Sequence, residues 1–138
     1  MKWEETIASD CRWSEYVAEI FGKADILLDN SSSGYQGNAE IIGALPDGRI
    51  GMYSWSYGSC SGCDSWENED EDVIRREVRD NILWFDGPSQ FLEWLDRGVH
   101  FSSRDMEKNE EIYDQGAKIS LRERLDIWMT SVYGAKIN

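Results

Sequence analysis

Apolar and polar residues alternate with different periods along the chain and divide it into distinct segments. From Trp3 to Phe21 the apolar residues Ile7, Trp13, Tyr16, Val17, Ile20 and Phe21 fall close to helical spacing, and Gly22-Lys23 supplies a stop. This predicts a helix interrupted near Ser9-Asp10. Ile26, Leu27 and Leu28 then form a short apolar run between two aspartates, followed by the polar stretch Asn30-Ser31-Ser32-Ser33-Gly34, which predicts a strand and a loop. Residues 37–45 and 49–57 flank Pro46-Asp47-Gly48, the signal of a β-hairpin. With Leu45 opposite Arg49, Ile41 faces Tyr53 and Ala39 faces Trp55 on one side of the sheet. On the other side Ala44 faces Ile50 and Ile42 faces Met52, whereas Glu40 faces Ser54 and Asn38 faces Ser56. One face is therefore apolar throughout, and the other turns polar at the end away from the turn.

Helical periods dominate after the hairpin. Asn68-x-x-Glu71 has the form of a capping box and precedes Ile74, Val78, Ile82 and Phe85, which predicts a helix that Asp86-Gly87-Pro88 ends. Ser89 restarts a short helix through Phe91, Leu92, Trp94 and Leu95 to Gly98. Residues 99–118 are polar and charged, with room for a helix from Ser103 to about Asp114. Ser120-x-x-Glu123 repeats the capping-box pattern before the stripe Leu121, Leu125, Trp128 and Val132, and Gly134 is the stop. The expected fold is α+β: an N-terminal helix, a small antiparallel three-stranded sheet, and C-terminal helices packed on that sheet. With neither a linker nor an internal repeat, residues 1–138 read as a single domain.

Charge narrows the partners. The formal net charge is −13, and residues 64–72 alone carry six acids and no base, while residues 73–138 carry ten bases against twelve acids. A field of that sign repels phosphate backbones, so direct nucleic-acid binding is not expected, and it attracts basic protein surfaces. No apolar run approaches the length of a membrane span, and Met1-Lys2-Trp3-Glu4-Glu5 lacks the apolar stretch of a signal peptide, so the expected setting is cytoplasmic. Three cysteines in such a chain read as thiols or metal ligands rather than a disulfide framework.

Candidate chemistry centres on Tyr57-Gly58-Ser59-Cys60-Ser61-Gly62-Cys63-Asp64, a C-x-x-C turn between the hairpin and an acidic helix start. Such spacing supplies half of a zinc site, and Cys11 and His100 are the residues that could complete it beside Cys60 and Cys63. The simpler account is a tight glycine turn whose cysteines pack as small hydrophobes. Thiol redox catalysis is disfavoured, because Asp64, Glu67, Glu69, Asp70, Glu71 and Asp72 place negative charge beside the thiols and raise their pKa. One histidine, no G-x-S-x-G elbow and no phosphate-binding glycine pattern leave hydrolytic and nucleotide chemistry without support. The polar hairpin end at Asn38, Glu40, Ser54 and Ser56 is a second place for a small ligand.

The segments Ser33-Gly34-Tyr35-Gln36-Gly37-Asn38-Ala39-Glu40 and Gly58-Ser59-Cys60-Ser61-Gly62-Cys63-Asp64, bracketing the hairpin, resemble small bacteriophage and bacterial proteins with a Tyr-x-Gly-Asn/Asp-Ala hairpin and a GSCSGCD turn. The resemblance spans about residues 25–85 and implies a phage or mobile-element setting, with no catalytic residues to carry over. The expectation is a non-enzymatic, acidic accessory protein that binds and inhibits a host protein with a basic, nucleic-acid-binding surface. Its acids are Asp64, Glu67, Glu69, Asp70, Glu71 and Asp72, and its aromatic anchors Tyr35, Tyr57 and Trp66. A zinc- or small-ligand-binding domain centred on the cysteine turn and an immunity protein against a basic toxin nuclease are the alternatives.

Overall fold

The computed structural model describes residues 1–32, 37–58, 66–97 and 115–133. The chain forms two compact units, Met1–Trp84 and Phe85–Asn138. Its fold is α+β, with a four-stranded sheet where the sequence predicts three strands.

The N-terminal stretch is two 3-10 turns, Trp3–Glu5 and Ala8–Asp10, followed by helix α1, Ser14–Phe21. The break falls where short hydroxyl side chains compete with the helical ladder. The Thr6 hydroxyl donates to the Trp3 carbonyl at 2.6 Å, Ser9 Oγ donates to the Thr6 carbonyl at 2.7 Å, and Ser14 Oγ donates to the Ser9 carbonyl at 2.9 Å. Strand β1, Asp25–Asp29, follows and pairs antiparallel with β2, Gly37–Ala44, through a bulge between Ile26 and Leu28. That extra residue moves Asp29 onto the face it shares with Ile41, where its Oδ2 accepts from the Ile7 amide at 2.6 Å.

β2 pairs antiparallel with β3, Ile50–Tyr57, in the register the alternation predicts, from Ala44 opposite Ile50 to Asn38 opposite Ser56. The turn closes with the Leu45 amide donating to the Arg49 carbonyl at 2.8 Å and Gly48 at φ 96°, a left-handed value that glycine adopts at no steric cost. Ala39, Ile41, Tyr53, Trp55 and Tyr57 lie buried on one face, in one core with Trp3, Val17, Phe21, Ile74 and Val78. Opposite, Ile42, Ala44 and Ile50 are buried near the turn, while Asn38, Ser54 and Ser56 are exposed at the far end.

Helix α2 spans Glu71–Asn81 and is shorter than predicted. Its N-cap is Asp70, whose carboxylate accepts from the Asp72 amide, and not Asn68. The helix stops at Asn81 because Ile82-Leu83-Trp84-Phe85 is a β-favouring run, and Leu83–Phe85 forms the fourth strand, β4, beside β3. Ile74 and Val78 place α2 against the core face of the sheet, as expected of a helix following the hairpin.

In the second unit, α3 (Pro88–Arg97) begins on a proline, which lacks only an amide that the first helical turn leaves unpaired anyway. α4 runs Gln115–Tyr133 without interruption, so Ser120 lies inside the helix and caps nothing. Phe85, Phe91 and Trp94 meet with centroids 5.3–5.8 Å apart, and Leu121, Leu125 and Trp128 are buried as the stripe predicts, whereas Val132 is exposed. An Arg122–Asp96 ion pair ties α4 to α3. The expected helix from Ser103 to Asp114 lies outside the described residues.

Candidate functional site

Trp66 enters the core four residues before the helix cap Asp70, and it carries the acidic turn with it. Its side chain is buried and its indole N–H donates to Glu77 Oε2 at 2.5 Å, fixing the turn to α2. Glu67, Glu69, Asp70, Glu71 and Asp72 all remain exposed on the turn and the first turn of α2. Carboxylates there favour the positive end of the helix dipole, so the helix tolerates this density of charge.

The dipeptide Arg12-Trp13 holds the same place from the other side. Trp13 sits at φ 73°, the left-handed region that bulky side chains avoid, and its ring meets Trp66 edge-on at 6.3 Å and Tyr16 at 6.4 Å. The Arg12 guanidinium lies 4.9 Å from the centre of the Trp13 ring, donates to the Gly58 carbonyl at 2.9 Å and approaches Glu67 at 4.0 Å. The Arg12 carbonyl in turn accepts from the indole N–H of Trp55 at 2.9 Å. One residue thus touches the chain on both sides of the segment 59–65.

Arg75 repeats the pattern one helix turn further on. It bonds Glu19 at 2.9 and 3.1 Å, lies 3.7 Å from both Glu71 and Asp72, and stands over the Tyr16 ring at 5.5 Å. The hydrogen bond to Glu19 holds its pKa above the usual guanidinium value. Burial, with Glu71 beside it, pushes the Tyr16 hydroxyl up. Arg12 and Arg75 therefore face Glu19, Glu67, Glu71 and Asp72, with Glu69 and Asp70 beside them, so the surface stays strongly negative. Exposed pairs of this kind contribute little stability, which leaves the carboxylates available to an incoming cation.

Two of the expected anchors belong to the core: Tyr57 and Trp66 are 4% and 5% exposed. Tyr57 donates its hydroxyl to the Ser32 carbonyl at 2.7 Å, and burial pushes its pKa up. Among the described residues of this region, the half-buried Trp13 is the aromatic side chain that reaches the surface. Its left-handed backbone carries no sequence signature, since glycine, asparagine or aspartate would be the usual sign.

The polar hairpin end is drawn into structure. Ser56 Oγ donates to Asn38 Oδ1 at 2.7 Å, the Asn38 amide donates to Ser32 Oγ at 2.9 Å, and the Glu40 amide donates to Ser31 Oγ at 3.2 Å. These bonds lash residues 30–32 to β2, and Ser54 stands exposed beside them. Cys11 is buried, with its sulfur 3.4 Å from the Ile7 carbonyl and 3.6 Å from both the Ser32 carbonyl and the Tyr57 hydroxyl. Burial pushes this thiol up, which keeps it protonated at neutral pH. Tyr35, Cys60, Cys63, Asp64 and His100 lie outside the described residues, and with them most of the expected zinc set. Among the described residues no helix is long and apolar enough to cross a membrane.

No protein-family model matches the chain, and neither the curated proteins nor the solved structures yield a match.

Proposed function

We propose that the chain is an acidic accessory protein of phage type that binds a host protein through a basic surface and so competes with that surface's own ligand, nucleic acid included. The observation that carries this reading is the exposure of Glu67, Glu69, Asp70, Glu71 and Asp72 on a turn fixed beneath by Trp66 and beside by Arg12. A fixed set of like charges loses little freedom on binding, and a field of one sign steers an oppositely charged partner into encounter. Trp13 supplies the aromatic anchor in place of Tyr57 and Trp66, because interface energy concentrates in preorganised aromatic side chains rimmed by polar groups.

The test compares proteins retained from a host lysate by the chain and by its Glu67→Lys/Glu69→Lys/Glu71→Lys variant. The reading expects a basic protein held by the parent chain at low salt, lost with the variant, and released near 1 M salt, where the screening length is about 3 Å. The same basic protein held equally by both chains would end the reading. A toxin nuclease as the retained protein would make the chain an immunity protein using the same face.

A further inference from the structure

We draw no further inference here: the strongest candidate, the buried Cys11 thiol beside Tyr57 at the end of β3 that leads toward Cys60 and Cys63, is a lone cysteine among the described residues with no second observation that points to a ligand.

Discussion

The ring of Phe21 stacks parallel to the indole of Trp84, with centroids 6.5 Å apart and planes 10° from parallel, over the cross-strand pair Gly43 and Gly51. The missing side chains are what admit the rings: a Cβ on Gly43 would meet Phe21 Cδ1 at 2.9 Å, and one on Gly51 would meet Trp84 Cζ3 at 3.0 Å. Overpacking of this kind costs about 1–3 kcal/mol. Gly43→Ala should lower the unfolding free energy by that amount, and Gly51→Ala, whose nearest neighbour stays at 3.0 Å, should cost less. Gly87→Ala, where nothing lies within 4 Å, should stay within about 0.5 kcal/mol of the parent. Urea titrations of the three variants check this, and wild-type stability in Gly43→Ala would contradict the packing described.

Trp13 makes a sharper prediction, because its backbone is strained and its ring is useful. Trp13→Ala and Trp13→Gly both remove the contacts with Trp66, Tyr16 and Arg12. Only glycine accepts φ 73° without a penalty, which for other residues is about 1–2 kcal/mol. Trp13→Gly should therefore be the more stable of the two, by about 1 kcal/mol after allowance for the freer unfolded chain, in keeping with the preference for glycine over alanine at a helix N-cap. Thermal melts of both proteins decide it.

The hairpin was legible residue by residue, because a strict two-residue period and a Pro-Asp-Gly turn leave one register that buries the apolar set. The same register already placed Tyr57 in phase with Tyr53 and Trp55, so its burial followed from the alternation even though a tyrosine beside a candidate site invites a binding role. β4 was concealed because Ile82 and Phe85 continue the spacing of Ile74 and Val78. A three-residue strand is too short to show a period of its own. The position of Trp13 beside the acidic turn joins residues more than fifty apart in sequence, Trp13 and Trp66, and rests on a tertiary contact that no local pattern encodes.

Alkaline pH should weaken the N-terminal unit. Burial raises the pKa of Cys11 above its ordinary 9.0, and burial, then Glu77, raises that of Tyr53 above its ordinary 10.0. Between the unfolded and folded values the native state keeps a proton that the unfolded chain has released, so the unfolded state binds fewer protons and stability falls as pH rises. The contribution is fully present below about pH 9 and declines above it. Denaturation midpoints measured between pH 8 and pH 11 should fall, and Tyr53→Phe should flatten the decline above pH 10. An identical decline in that variant would remove Tyr53 from the account.

Charge and ring should separate kinetically once a basic partner is in hand. Carboxylates at an exposed rim act during encounter, so Glu67→Lys/Glu69→Lys/Glu71→Lys should slow association at least tenfold at low salt and leave a shallower salt dependence. Asp70 is left in place because it caps α2. Trp13 acts after docking, where short-range contacts hold the complex, so Trp13→Ala should speed dissociation about tenfold with association nearly unchanged. Stopped-flow association and dissociation of the same complex measure both. A Trp13 variant that slows association while leaving dissociation alone would show that the ring shapes the surface without anchoring the partner.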